Sequence, residues 1–103
     1  MGMTIVADAG ATLRGIEALH AQINDGLRDH PLVELDGSAI SEIDLSFLQL
    51  VEAARTHAAQ QGKIFRLTGP ANEAVTQQLR RAGMLARPDA DFIEFWFHGE
   101  LPQ

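Results

Sequence analysis

Residues 32–67, LVELDGSAISEIDLSFLQLVEAARTHAAQQGKIFRL, decide the predicted fold because they combine two short strands with a longer helix. Leu32–Leu35 and Lys63–Leu67 are short segments rich in apolar residues and bounded by turn residues, as buried strands are. Between them, apolar residues recur at spacings of three and four, the pattern of one helix face: Phe47, Leu50, Val51, Ala54 and Ala58. Gly62 follows this helix where a C-terminal capping glycine is expected. The order strand, helix, strand predicts two parallel strands joined by a right-handed crossover.

The segment before residue 32 repeats this pattern. Met3–Ala7 contains three consecutive β-branched residues and is predicted to be a strand. Thr12 is the predicted N-cap of a first helix, which ends at His30-Pro31. The predicted buried face of that helix consists of Leu13, Ile16, Leu19 or His20, Ile23 and Leu27.

The segment after residue 67 is predicted to add a third helix and a last strand. The helix begins near Pro70 and ends at Gly83. Its predicted buried face consists of Ala71, Val75, Leu79 and Ala82. Asp91–His98, DFIEFWFH, is predicted to be a terminal strand, in which Trp96 either packs in the core or anchors a partner. The sequence therefore predicts one α/β domain over residues 1–103, with a mainly parallel sheet of about four strands faced by three or four helices.

The composition narrows the classes of function. The chain has 103 residues, a formal net charge of −6 and no cysteine, so it offers neither disulfides nor thiol chemistry. Its basic residues are scattered rather than arranged in a stripe, which argues against nucleic-acid binding. Neither a membrane span nor a secretory signal is apparent, so we expect a cytoplasmic protein without membrane insertion.

The motifs of enzymes are missing around the residues that would carry chemistry. Ser46 lacks the flanking glycines of the G-x-S-x-G elbow, and no phosphate-binding GxxxxGK[ST] loop occurs. The four histidines show no metal-ligand spacing. We therefore expect no catalytic activity, no cofactor and no metal. Asp36, at the end of a strand, has the position of a receiver phosphoacceptor, but an Asp before Gly37 also forms a turn, which we favour.

Ser46 lies at the predicted start of the central helix, and two interpretations apply to it. In one, it is a structural residue at a helix start for which Asp44 is the N-cap. In the other, its hydroxyl accepts a phosphate, which the free N–H groups and the positive end of the helix dipole would stabilise. Asp36, Glu42 and Asp44 give the surroundings an acidic character, and a phosphate would add about −1.5 to −2 charge units there.

The stretches LVELDG, EIDLSFLQLVEAARTHAAQQGK and IFRLTGPANEAVTQQLRRAGM resemble a STAS domain, the fold of anti-sigma-factor antagonists and sulfate-transporter tails. The segment DLSFLQL is similar to the corresponding segment of short single-domain STAS proteins of bacterial chemotaxis or partner-switching systems. The family motif has a second hydroxyl residue, phosphorylated by the partner kinase, at the position of Ser46, and an aspartate at the position of Asp44. Leu45 and Phe47 depart from the family pattern, which has a hydroxyl residue and a glycine at these positions.

The resemblance implies a non-catalytic protein-interaction module switched by phosphorylation of Ser46. The implied partner is an anti-sigma-type serine kinase or a chemotaxis signalling protein. The residues expected to contact it are Glu42, Asp44, Ser46 and Phe47. The alternative within the same family is a constitutive STAS subunit of a bacterial phospholipid transporter, in which phosphorylation has no role.

Overall fold

The computed structural model describes residues 2–101, which form five strands and four α-helices. The strands are β1 (Gly2–Val6), β2 (Gly10–Ala11), β3 (Leu32–Asp36), β4 (Glu42–Ile43) and β5 (Ile64–Leu67). The helices are α1 (Ile16–Asp29), α2 (Leu45–Gln60), α3 (Glu73–Arg81) and α4 (Ala90–Phe97), and a 3₁₀ turn at Leu13–Gly15 precedes α1.

The main sheet has three strands in the order β1-β3-β5, and both pairs are parallel. The register places Met3 opposite Val33 and Val33 opposite Phe65. A second, two-stranded parallel ribbon joins β2 to β4, with Ala11 opposite Ile43. The α/β class, the mainly parallel sheet and the number of helices are confirmed, while the main sheet has one strand fewer than the four expected.

One face of the main sheet is buried and the other is more exposed, because side chains alternate along each strand. The buried face carries Ile5, Val33, Leu35, Phe65 and Leu67, against which α1 and α2 pack. On the opposite face Val6 and Ile64 are exposed.

The start of the first helix differs from the prediction. Thr12 precedes the 3₁₀ turn and makes no side-chain capping bond, and α1 begins only after Gly15. Leu13, predicted to be buried, is 69% exposed because the turn directs it away from the core-facing side of α1. Gly26 leaves room for β3: a Cβ there would lie 3.1 Å from Val33 Cγ2, so glycine lets α1 approach β3 closely.

The third helix also begins later than Pro70 predicts. Asn72 is its N-cap, and its side-chain oxygen accepts the Val75 N–H at 3.0 Å. The helix ends as predicted at Gly83, whose φ of +76° favours glycine. Ala82, placed on the buried face by its spacing, lies beyond the last helical turn and is exposed.

The last element is a helix, so the prediction of a terminal strand at Asp91–His98 was wrong. Asp89 caps α4 by accepting the Phe92 N–H at 2.8 Å. Phe92, Phe95 and Trp96 follow the spacing of three and four that buries one helix face, and this packing overrides the strand preference of aromatic residues. Trp96 is completely buried, in agreement with the core alternative.

Candidate functional site

The start of α2 is organised by Asp44, which directly follows β4. Its N–H donates to the Ala11 carbonyl at 3.2 Å, which extends the β2–β4 ribbon by one bond. Its carboxylate oxygen Oδ1 accepts the Ser46 N–H at 3.0 Å and also the Ser46 hydroxyl. The prediction that Asp44 is the N-cap of this helix is confirmed.

The same carboxylate joins two segments that are far apart in sequence. Because Ala11 lies opposite Ile43 in the ribbon, the residues that follow each strand come together at its end. There the Leu13 N–H donates to the Asp44 Oδ2 atom at 2.9 Å. Asp44 therefore fixes the 3₁₀ turn against the start of α2.

These bonds favour the ionised form of Asp44. They hold the pKa of the Asp44 carboxyl below its usual value of 3.8. The largest contribution comes from the Ser46 hydroxyl, and the second comes from the Leu13 N–H. The side chain is therefore negatively charged at neutral pH, next to the hydroxyl that the sequence singles out.

Ser46 itself is half-buried in the first turn of α2. Its hydroxyl donates its proton to Asp44 and does not contact a histidine. This geometry matches a helix-start residue whose N–H and hydroxyl both bind the N-cap carboxylate.

Two exposed leucines belong to the segments that Asp44 joins, and neither is predicted as a functional residue from the sequence. Leu13 is 69% exposed and Leu45 is 45% exposed. The spacing of apolar residues places Leu13 on the buried helix face, although Gly15, two residues later, is a signal that the helix starts later. We call the group formed by Leu13, Glu42, Asp44, Leu45 and Ser46 the Ser46 surface.

Phe47, expected among the partner contacts, is not part of the Ser46 surface. Its side chain is 1% exposed and packs in the core, because the residue after Ser46 on a helix points about 100° away from it. Phe47 therefore anchors the first turn of α2 from inside and offers no surface to a partner.

Asp36 forms the turn that its sequence context predicts. Its Oδ1 atom accepts the Ser38 N–H at 2.9 Å and the Ser38 hydroxyl at 2.7 Å. The hydroxyl of Ser38 is the main cause that lowers the pKa of Asp36, and its N–H adds to the effect. Asp36 therefore closes the loop after β3 and belongs to a different turn from Asp44.

Within residues 2–101, no three or more His, Asp or Glu side chains lie close enough together to hold a metal ion. His98 instead contacts the Leu67 carbonyl at 3.1 Å through Nε2, and His20 contacts Asn24 at 3.0 Å. In the same part of the chain, no helix combines the length and the apolar character that crossing a bilayer requires.

Comparison with known proteins gives one family. The family model described as "Mlab, STAS domain" matches residues 3–86, which is most of the chain and includes the whole Ser46 surface. Among curated proteins, none matches the chain. The chain therefore belongs to the STAS-domain family, as its LVELDG and EIDLSF motifs predicted.

Proposed function

We propose that this protein is a non-catalytic interaction module, that its Ser46 surface docks a protein partner, and that phosphorylation of Ser46 weakens this docking. STAS domains generally mediate protein–protein interactions. The observation that carries the proposal for this chain is the exposure of Leu13, whose N–H binds Asp44, and of Leu45, which directly precedes Ser46.

The two leucines add exposed apolar area to the Ser46 surface. Burying one exposed leucine side chain completely contributes about 1.5–3 kcal/mol, so the pair can supply a useful part of a docking energy. Glu42 and Asp44 add negative charge beside them, so the proposed partner docks chiefly through apolar groups that contact the leucines. Asp44 holds the Leu13 turn in place, so the surface is formed before the partner arrives.

A phosphate on Ser46 would act through Asp44. The esterified oxygen has no proton to donate, so the hydrogen bond from Ser46 to Asp44 is lost. The phosphate also brings about −1.5 to −2 charge units next to an ionised carboxylate. Repulsion between the two groups loosens Asp44, and the Leu13 turn that Asp44 holds moves with it. Docking then loses one of its two leucines, and the apolar groups of the partner would have to pack against a charged phosphate.

The proposed partner is an anti-sigma-type serine kinase or a chemotaxis signalling protein in the bacterial cytoplasm. A kinase that docks on the Ser46 surface is well placed to phosphorylate the hydroxyl within it. The formal net charge of −6 supports a protein partner over a nucleic acid.

The test is recovery of partners from the native cell with wild type, Ser46→Asp and Ser41→Asp. Ser41 is exposed in the loop before β4, so Ser41→Asp adds the same charge nearby without touching Asp44. We expect wild type and Ser41→Asp to retain a kinase-like or chemotaxis protein and Ser46→Asp to lose it. Equal recovery by all three would refute the switch.

A second candidate is the constitutive subunit of a bacterial phospholipid transporter. The hydrogen bond from the Ser46 hydroxyl to Asp44 favours it, because a hydroxyl with a structural partner explains Ser46 without a phosphate. In this case wild type and Ser46→Asp both recover the same transporter ATPase, and native protein carries no phosphate on Ser46. A receiver-like use of Asp36 would give an acyl phosphate that hydroxylamine cleaves, whereas phosphoserine resists it.

A further inference from the structure

The end of α3 and the loop after it concentrate positive charge in an acidic protein. Residues 74–88 contain three arginines, Arg80, Arg81 and Arg87, and no acidic residue, although the chain as a whole has a formal net charge of −6. All three arginines are exposed. None of them forms a salt bridge with a carboxylate of residues 2–101. We call Arg80, Arg81 and Arg87 the arginine patch.

Most of the other basic side chains have partners of their own. Those that form salt bridges are Arg28, Arg55 and Arg66. Lys63 donates to the Leu27 carbonyl. The helix dipole explains the preference for basic residues in the last turn of α3, but it does not explain Arg87, which lies beyond that helix. The arginine patch therefore has positive charge that the described part of the fold does not neutralise.

A groove of about 380 Å³ lies beside the arginine patch. It is lined by Arg80, Gly83, Leu85, Ala86 and Leu101, so its wall is apolar except for one guanidinium. Leu101 is 48% exposed, which leaves part of this apolar wall open to solvent. The lining includes no residue of the Ser46 surface, so the groove belongs to a second, separate surface.

Backbone hydrogen bonds fix the path of the chain along this groove. Gly83 has a φ of +76°, and the Met84 N–H donates to the Leu79 carbonyl at 3.0 Å, which closes the end of α3. The Ala86 N–H then donates to the Gly83 carbonyl at 3.3 Å. The wall of the groove is therefore formed before a ligand binds, which lowers the entropy cost of binding.

We propose that the groove and the arginine patch bind an acidic segment of a partner protein. An apolar side chain of the segment packs against Leu85 and Leu101, and its carboxylates face the three arginines. Arginine suits this role because its planar guanidinium can donate two hydrogen bonds to one carboxylate. The charges of the two partners are complementary, and the acidic remainder of the chain repels such a segment from other surfaces.

Two other polyanions match the arginine patch less well. A nucleic acid is typically held through about six to ten phosphate contacts, which exceeds what three arginines in an otherwise acidic chain supply. Recognition of an anionic bilayer typically uses clusters of about four to eight basic residues. An apolar groove next to a few arginines instead fits one anchoring side chain between carboxylates.

The test is a titration of the full-length ¹⁵N-labelled protein with the peptide acetyl-Asp-Glu-Leu-Phe-Glu-Asp-amide. We expect saturable shifts of the backbone N–H signals of Gly83, Leu85 and Ala86, which line the groove. The uncharged analogue acetyl-Asn-Gln-Leu-Phe-Gln-Asn-amide should bind about tenfold more weakly, because it loses several exposed ion pairs. Absence of a saturable shift at these signals, or equal binding of the two peptides, would overturn the proposal.

Variants locate the site. Arg80→Gln should weaken binding of the acidic peptide about threefold, and Arg80→Gln combined with Arg87→Gln about tenfold. Arg14→Gln is the matched control, because Arg14 is exposed, forms no salt bridge with residues 2–101 and lies outside the groove. Equal weakening by Arg14→Gln would show that the peptide responds only to net charge, and it would refute the site.

The apolar part of the contact has its own variant pair. Leu101→Ala should weaken binding of the acidic peptide, whereas Ile64→Ala, which removes an exposed side chain outside the groove, should not. The same weakening by both would refute the role of the groove. Two further outcomes would assign the groove to another occupant and overturn the proposal. One is a shift of the same signals on raising the protein concentration without peptide, which indicates a second copy of the chain. The other is a response to phosphatidylglycerol vesicles without a response to the peptide.

Discussion

Replacing Asn72 with alanine removes the hydrogen bonds that join the start of α3 to the loop after β3. The first loss is the N-cap bond to the Val75 N–H, worth about 1 kcal/mol. The second is the donation from Nδ2 to the Ile40 carbonyl at 2.8 Å, which also contributes about 1 kcal/mol net. The contact with the Gly37 carbonyl, at 3.3 Å, is longer and adds less. We expect Asn72→Ala to lower the free energy of unfolding by about 2 kcal/mol, which corresponds to a fall in Tm of about 10 °C.

Urea denaturation of wild type, Asn72→Ala and Asn72→Ser separates the two contributions. Serine is as good an N-cap as asparagine but cannot donate to the loop carbonyls, so Asn72→Ser should lose only about 1 kcal/mol. The slope of the unfolding transition should stay unchanged, because the folded state keeps its compactness. If Asn72→Ala and Asn72→Ser have equal stability, the N-cap bond contributes nothing. A loss below about 0.5 kcal/mol in both variants would refute the bridging role of Asn72.

Three further variants test other parts of the structure. Phe47→Ala should lower the free energy of unfolding by about 3–5 kcal/mol in urea, because it empties a core position, and a loss near zero would contradict that burial. Gly83→Ala should lose about 1 kcal/mol or more, because φ is +76° at this position, whereas Gly10→Ala should be nearly neutral since a Cβ meets open space there. The pKa of Asp44 is lowered in the folded state, so its ionised form stabilises the protein. This contribution is complete above the unfolded pKa of about 4 and is lost as the pH falls through the folded pKa. Acid titration followed by circular dichroism should therefore show a smaller loss of stability for Asp44→Asn than for wild type, and equal losses would contradict the linkage.

The parts of the fold that sequence predicted well are those fixed by neighbouring residues. The strands at Leu32–Leu35 and Lys63–Leu67 match β3 and β5 to within one residue, because their turns and apolar content agree. Asp44 was identified as the N-cap of α2, and its bond to Ser46 spans only two residues. At these positions the neighbouring residues determine the local structure, so it could be predicted from the sequence.

The parts that sequence missed depend on contacts between distant segments. Asn72 replaces Pro70 as the start of α3 because its amide also donates to Gly37 and Ile40, more than thirty residues away. The 3₁₀ turn that exposes Leu13 is held by Asp44, which accepts the Leu13 N–H across 31 residues. The aromatic residues of α4 have strand propensity, but their packing against β5 through pairs such as Phe65–Phe95, with ring centres 5.8 Å apart, selects the helix.

The junction between Ser46 and Phe47 separates the proposed docking function from the stability of the fold. Ser46 lies in the Ser46 surface, whereas the next side chain is buried in the core. A change at Ser46 therefore leaves the packing of Phe47 in place, and an aspartate in the first turn of α2 gains from the helix dipole, which offsets part of its repulsion by Asp44. The Ser46→Asp variant should consequently fold like wild type, so that loss of a partner by this variant reports on docking rather than on unfolding. Phe47→Gly, which would restore the glycine of the family motif, would remove a core side chain. This chain therefore cannot acquire the family pattern after Ser46 without losing stability.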